Sequence, residues 1–521
     1  MSRDNRYYIT TPIYYVNDVP HIGHAYTTLA CDVLARFKRL DGYDVMFLTG
    51  TDEHGQKVEK SAEAAGLEPQ IFVDKVSQNF RELAEPMDYS NDDFIRTTEA
   101  KHVRSSQAIW QAIERNGDIY LSTYSGWYSV RDEAFYGEEE LTAGPDGTHL
   151  APTGAEVEWV EEPSYFFRLS KWGTRLLEFY DENPDFVLPE ARRNEVVSFV
   201  KSGLRDLSIS RTSFKWGIPV PGDDDHIMYV WLDALTNYIT AVGYPNVQSD
   251  SFTKYWPADI HMVGKDIVRF HAVYWPAFLM SAGIAPPKRV FAHGWWTNEG
   301  EKISKSLGNV IDPLQLVERY GLDPVRYFLM REVPFGNDGD FSHRTMVNRL
   351  NGDLANDLGN LAQRVLSMIN RNCSASVPEP GPFHDDDRGF LAGAHGLIGT
   401  VRAEMDVQGI NRALEAIWTV VGDANRYVDA QAPWALWRSN PTRMNTVLYV
   451  AAEVLRHLAI LVQPVMPGSA TKLLDQLGQS EDERDFTRLG ESGALRPGLP
   501  LPKPEAVFPR YVEEKDSMAA T

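Results

Sequence analysis

The run Tyr7-Tyr8-Ile9-Thr10-Thr11-Pro12-Ile13-Tyr14-Tyr15-Val16, followed by His21-Ile22-Gly23-His24, puts the start of a helix directly behind a strand. The first run is apolar and rich in residues that favour strands. The second opens a segment of helical period, Ala25 to Leu40, closed by Asp41-Gly42. A helix N-terminus presents unpaired backbone N–H groups and the positive end of the macrodipole, which attract anions. Gly23 removes a side chain where a ligand would come close. The flanking imidazoles can donate hydrogen bonds to phosphate oxygens. The pattern points to a nucleotide phosphate site. On four residues alone, a pair of packing or surface histidines is an equal reading.

The neighbouring segments continue an α/β rhythm. Asp44-Val45-Met46-Phe47-Leu48-Thr49-Gly50 reads as a parallel strand ending in Thr51-Asp52-Glu53-His54-Gly55, and such strand ends hold ligands in open α/β sheets. Helical patterns follow at 56–65, 69–85 and 98–116. From 117 to 229 the rhythm gives way to aromatic and acidic residues with turn signals, expected as an inserted β-rich module. Tyr229-Val230-Trp231-Leu232-Asp233-Ala234 and Ile260-His261-Met262-Val263-Gly264-Lys265-Asp266 then read as strands ending in polar residues. A helix is expected over Val268 to Ser281 and a strand over Arg289 to Trp296. The loop Glu301-Lys302-Ile303-Ser304-Lys305-Ser306-Leu307-Gly308-Asn309 suits a mobile anion clamp, although most such stretches are only solvated. Amphipathic helices are expected across 345–371, 385–406, 408–430 and 441–463. Beyond Gly478 an extended strap is expected, with a disordered end at Glu513–Thr521.

A chain of 521 residues has ample core for several domains. Its net charge of −22 argues mildly against a surface coated for nucleic acid, without excluding a local basic face. Basic residues are commoner across 168–215 and acidic ones across 132–162, which is weak evidence, since charge runs are usually solvated faces. No membrane span or secretory leader is expected. Two cysteines, Cys31 and Cys373, cannot build a disulfide framework or a metal cluster, and a reducing cytoplasm fits them.

His21-Ile22-Gly23-His24 and Lys302-Ile303-Ser304-Lys305-Ser306 together resemble the two signatures of class I aminoacyl-tRNA synthetases. The surrounding Thr11-Pro12-Ile13-Tyr14-Tyr15-Val16-Asn17, Thr51-Asp52-Glu53-His54-Gly55, Val230-Trp231-Leu232-Asp233-Ala234, Gly264-Lys265-Asp266-Ile267 and His271 with Trp275 resemble the methionyl-tRNA synthetase family, over nearly the whole chain. The resemblance implies an α/β Rossmann-type catalytic domain with a β-rich connective insertion, followed by an α-helical anticodon-binding bundle. The expected divisions are 1–116 and 230–290 for the two catalytic halves and 117–229 for the insertion. A stem-contact fold carrying the lysine loop is expected over 291–344, and the helical bundle with its strap over 345–521.

The implied activity joins L-methionine to tRNA(Met) through an adenylate made from ATP with Mg²⁺. By resemblance His21, His24, Lys302 and Lys305 are catalytic. Gly23, Gly264, Asp266, His293 and Trp296 join His21, His24 and Lys305 in binding ATP. Ile13, Tyr15, Asp52, Trp231, Tyr238, His271 and Trp275 line the methionine pocket. Asp52 suits the substrate ammonium, and aromatic walls suit a polarizable thioether. Without the resemblance, Trp231 and Trp275 would be core tryptophans, His271 a satisfied core histidine and Asp52 a helix cap. Asn360, Arg364 and Trp434 can read and stack unpaired anticodon bases; their bland alternative is a surface pair and a core tryptophan.

Four departures from the family stand out. Where many relatives carry a zinc knuckle, this chain has Tyr128-Ser129-Val130-Arg131-Asp132 and Ala151-Pro152-Thr153-Gly154, with no thiol, so no structural zinc is expected. Leu235 replaces a pocket proline of some relatives, and Ile303 replaces a loop methionine. The chain stops where some relatives add a dimerisation domain, so a monomer is expected. The insertion is too short for the editing domain of the isoleucine, valine and leucine enzymes. A non-catalytic tRNA-binding paralogue remains the alternative, although binding alone would not require both phosphate motifs.

Overall fold

The computed structural model describes residues 5–16, 20–132, 134–303 and 309–513. They form two compact units, Met1–Cys31 with Val45–His293, and Asp32–Asp44 with Gly294–Thr521.

The first unit is built on a parallel sheet. Strands β1 (Arg6–Thr10) and β2 (Tyr14–Tyr15) lie along one edge of β3 (Asp44–Asp52), and β4 (Asp93–Arg96) lies along the other. The single strand expected over Tyr7–Val16 is broken at Thr11–Ile13, where Pro12 has no N–H for a ladder. Helix α1 (Ile22–Leu40) follows, and α2 (Gln56–Ala64), α3 (Pro69–Glu82), α4 (Ala84–Met87) and α5 (Ala100–Arg115) come after β3 and β4. Strand β4 left no signal in the sequence, because four residues with charges at both ends carry no period.

The segment 117–229 is more mixed than the β-rich module expected of it. Its long strands β5 (Ile119–Ser129) and β9 (Glu156–Phe167) pair antiparallel, Ile119 opposite Phe167, with β6 (Ala134–Tyr136), β7 (Thr142–Ala143) and β8 (His149–Leu150) completing the sheet. It also contains α6 (Gly173–Glu182), α7 (Glu190–Lys201) and, between them, β10 (Val187–Leu188), which joins the parallel sheet. Two residues cannot show a period, so β10 was invisible in the sequence. Strand β11 (Leu207–Ser208) pairs with β9, while β12 (Ser210–Arg211), β13 (Pro219–Val220) and β14 (Asp223–Met228) form a small antiparallel sheet.

The strand expected over Tyr229–Ala234 is instead the first turn of a helix, α8 (Val230–Thr240). Every residue from Leu232 to Thr240 is buried. A helix buried all round has no polar face, and a few of its residues look like an interior strand. After α9 (Asp250–Tyr255) the parallel sheet resumes with β15 (Ile260–Gly264) and, beyond a π-helical turn at Phe270–Tyr274 and α10 (Trp275–Ser281), with β16 (Val290–His293). The sheet order is β10-β16-β15-β1-β3, with Ile9 opposite Ile260 and His261 opposite Val290. Its core gathers Tyr8, Leu48, Ile95, Trp110, Tyr238, Val263 and Trp275.

The second unit begins where the strand expected over Arg289–Trp296 divides. At Gly294 a Cβ would stand 2.2 Å from the carbonyl oxygen of Asn337, so only glycine lets the backbone pass. Strand β17 (Trp296–Asn298) then pairs with β18 (Glu301–Lys302) and with β19 (Gly339–Phe341) in a separate sheet. Helices α11 (Pro313–Tyr320), α12 (Leu322–Arg331) and α13 (His343–Arg349) lead through a π-helical stretch, Leu350–Gly359, into the bundle. The bundle comprises α14 (Asn360–Asn372), α15 (Asp385–Asp406), α16 (Ile410–Gln431), α17 (Pro433–Ser439), α18 (Pro441–Val462) and α19 (Pro467–Gln476). Among the described residues only α18 is long and apolar enough to cross a membrane, and 94% of its apolar window is buried inside the structure, as in a core helix. The strap pairs back along the segment after α14, with Val377 N–H on Leu499 O and Leu501 N–H on Ala375 O. The fold class expected from the sequence is the one observed: a Rossmann-like parallel sheet, additional small sheets and a helical C-terminal domain.

Candidate functional site

At the start of α1 the two histidines face one another. Their ring centroids lie 3.9 Å apart. The Gly23 N–H donates to His21 Nδ1 at 3.0 Å, and the His21 N–H to His24 Nδ1 at 3.2 Å, so the rings cap the helix. A Cβ on Gly23 would stand 2.9 Å from His21 Cε1, so the glycine makes room for the imidazole itself. His24 is wedged edge-on against Tyr14 and Phe80. Burial lowers the His21 pKa; burial and then the neighbouring His21 lower that of His24 well below the usual value. Both imidazoles are therefore neutral at pH 7. One turn on, Thr27 Oγ1 lies 2.7 Å from Nε2 of His293, at the end of β16, whose ring meets Tyr26 edge-on.

The expected amino-acid pocket converges on the same core. Ile13, Tyr15 and Trp231 are partly open and pack against it, while Tyr238, His271 and Trp275 are buried in it. His271 Nδ1 is 3.0 Å from Ile267 O, a pure acceptor, so Nδ1 carries the proton. Nε2 is left to accept the Tyr238 O–H at 2.7 Å. Burial lowers the His271 pKa to about 4, which keeps this neutral tautomer. His271 sits in the π-helical turn, a feature that recurs at functional sites. Trp231 stacks flat on Phe270 at 3.7 Å, and His261 lies under Tyr238 at 4.0 Å. Asp52, buried at the end of β3, stands opposite Tyr15 in the ladder, and its charge helps raise the Tyr238 pKa, after burial.

Behind these residues Asp233 is buried between two histidines, with Oδ2 at 2.7 Å from His54 Nδ1 and Oδ1 at 2.7 Å from His102 Nε2. Burial raises its pKa, but the two imidazoles outweigh that and set it at about 2. His54 also accepts the Tyr15 O–H on its carbonyl at 3.0 Å. The carboxylate thus ties β3, α5 and α8 together. This set, with Phe270 and His261, was missed in the sequence; an aspartate inside the apolar run Val230–Ala234 was the available signal, since a buried carboxylate needs partners.

Gly264 closes β15, and Asp266 is exposed in the turn that follows; a Cβ on Gly264 would lie 2.5 Å from Asp266 Oδ1. In the second unit Trp296 is nearly enclosed against Phe328, while its neighbour Trp295 is 45% exposed. Lys302 is exposed, its Nζ 5.8 Å from the Trp295 ring centroid. Lys305, Ser304 and Ser306 lie outside the described residues.

The two segments at which no structural zinc is expected meet through side chains. Asp132 accepts from Tyr136 at 3.0 Å and from the Thr153 hydroxyl, and Arg131 donates to Thr153 O at 2.7 Å. Among the described residues one group has metal-ligand spacing, His395, Glu453 and His457. There Arg456 donates twice to the Glu453 carboxylate, and both His457 ring nitrogens are engaged, with Glu453 O at 2.9 Å and the Gly490 N–H at 2.8 Å.

On α14, Asn360 is exposed and Arg364 lies one turn on, ion-paired with Asp429. The Arg364 guanidinium is 5.5 Å from the Trp434 ring centroid, and Trp434, on α17, is 48% exposed. It is no core tryptophan.

Residues 7–366 match the family model of class I tRNA synthetases (M), and residues 377–520 match the anticodon binding domain of methionyl tRNA ligase. The chain is 61% identical over 519 residues to a methionine–tRNA ligase of Mesorhizobium japonicum, covering 100% of both. Among solved structures it is similar to Mycobacterium tuberculosis methionyl-tRNA synthetase in complex with methionyl-adenylate, with TM-score 0.95 and 56% identity over 97% of this chain and 100% of that one. The apo form of the Mycobacterium tuberculosis enzyme gives a TM-score of 0.89 at 53% identity, over 98% of this chain and 99% of that one.

Proposed function

The chain belongs to the class I tRNA synthetases (M), and from that premise we propose that it ligates L-methionine to tRNA. It first activates methionine with ATP to methionyl-adenylate and pyrophosphate, then passes the acyl group to the 3′-terminal ribose of tRNA(Met). The observation that carries this reading is the full-length match to methionine–tRNA ligases, joined to a catalytic unit and an anticodon-binding domain in one chain. With both units present, the alternative of a non-catalytic tRNA-binding paralogue is not favoured.

In the first step the methionine carboxylate attacks the α-phosphate and pyrophosphate leaves. Positioning and charge stabilisation do most of the work. We assign His21 and His24 to the phosphates at the α1 N-terminus, where neutral rings leave room for the negative charge to draw a proton in. Lys305 neutralises the departing pyrophosphate, with Lys302 assisting. Asp266 contacts the ribose, and Gly264, His293 and Trp296 border the nucleotide. Asp52 takes the methionine ammonium. Ile13, Tyr15, Trp231, Tyr238, His271 and Trp275 form the pocket, whose locked, uncharged Tyr238–His271 pair suits a thioether and penalises a charged side chain. Mg²⁺ accompanies ATP, bound mostly through the phosphates. Structural zinc does not fit the insertion: the Tyr136 and Thr153 hydroxyls and the Arg131 guanidinium all donate to the Asp132 carboxylate where thiolates would be needed. Asn360, Arg364 and Trp434 read the anticodon. Two free cysteines suit a reducing cytoplasm, where we read the chain as a monomer.

The test is ATP-dependent attachment of labelled methionine to tRNA by the purified chain. Acid-precipitable methionine that depends on both ATP and tRNA(Met) is expected. Tight tRNA binding with no attachment would return the paralogue.

A further inference from the structure

We propose that Trp437 and Arg438 form a second base-stacking platform beside Trp434, taking an unpaired nucleotide of the tRNA that neighbours the one stacked on Trp434. The proposal rests on the tRNA-ligase reading above.

Helix α17 carries two tryptophans three positions apart, hence on neighbouring positions of one face, and each is 48% exposed. An indole normally buries most of its surface, so two open ones side by side call for a partner. The helix is held still. Pro433 is buried at its start, and at its end the Asn440 side chain accepts the Arg443 N–H to begin α18. Arg443 is itself fixed by Asp387 and Gln431. The rings are therefore displayed by a rigid support.

Each ring also carries a guanidinium. Arg364 stands 5.5 Å from the Trp434 centroid, and Arg438 4.2 Å from that of Trp437. An indole with a cation over it offers its remaining surface to a base, while the guanidinium can reach a phosphate. In a chain of net charge −22, Arg438 over an exposed indole, beside an Arg364 shared between Trp434 and Asp429, is a local complement to a polyanion. An apolar protein partner would gain nothing from them. The match to an anticodon binding domain over 377–520 places this face in the part of the chain concerned with RNA.

Full-length W434A, W437A and W437F variants test the platform by tRNA(Met) affinity in filter binding and by ATP–pyrophosphate exchange. W437A is expected to weaken tRNA binding about tenfold with exchange unchanged, and W437F to recover most of the loss. With 5-fluorotryptophan in place of the 13 tryptophans, the 19F resonance missing from W437F should shift on adding tRNA(Met). If W434A weakens binding while W437A stays within twofold of the parent and that resonance stays still, the platform is wrong and the anticodon reading survives. If neither variant weakens binding, the anticodon reading fails with it. Loss of exchange in W437A and W437F together would make Trp437 a structural residue and overturn the proposal.

Discussion

The two units use aromatic side chains in opposite ways. In the catalytic unit Tyr238, His271 and Trp275 are at most 2% exposed, and the Tyr238–His271–Ile267 chain of hydrogen bonds leaves one tautomer. In the helical unit Trp434 and Trp437 stand half open, each under an arginine. On the proposed function, the difference follows the size of what each must hold. A small side chain can be enclosed, so its walls are locked before it arrives and discriminate by shape and by the cost of stranding a polar group. A loop of RNA cannot be enclosed, so its readers stay at the surface and gain their energy when the bases cover them.

The largest expected effect is on the transition state of activation. Lys305→Ala should cost about 10²–10³-fold in adenylation rate, the usual scale for removing one charge-stabilising group, with methionine affinity nearly unchanged in single-turnover kinetics. A large loss of methionine affinity would give that lysine a binding role instead. Tyr238→Phe removes the donor to a buried nitrogen and should raise the methionine KM about tenfold while sparing the KM for tRNA; an unchanged methionine KM would mean the pair is only packing. Trp434→Ala should do the reverse, weakening tRNA charging by several-fold to about tenfold and leaving exchange intact. Equal losses in both assays would make it a structural residue.

The smallest expected effect is on stability against pH. His271 has a folded pKa of about 4 against 6.5 unfolded, and those of His21 and His24 are also lowered. The unfolded chain therefore takes up protons first as pH falls. Stability should be complete above about pH 6.5 and decline as acidification proceeds towards 4, seen as a falling melting temperature. His271→Gln should shallow that slope, and an unchanged slope would mean that His271 is protonated in the fold.

Much of the fold was legible because its signals are periodic. Strand β3, helix α1 and the bundle helices α15, α16 and α18 fall close to where the pattern put them. Apart from α6 and α7, which fall inside the segment expected to be β-rich, what was not legible is either too short or too buried to carry a period. Strands β4 and β10 have four and two residues. Helix α8, buried on all sides, passed for a strand, although Trp231 and Tyr238 still pack with the core that holds Trp275. His21 and His24 stood out from local sequence, and Asp52 and His271 were singled out through the family resemblance. Their supports could not be named in advance: Asp233 meets His54 and His102, and His261 meets Tyr238, only through long-range packing.

The central claim, activation of methionine, is tested most directly by ATP–pyrophosphate exchange with each amino acid in turn and no tRNA present. Methionine should support rapid exchange, and isoleucine, leucine, valine and cysteine at equal concentration should support little. Exchange driven by isoleucine or valine but not by methionine would contradict the account.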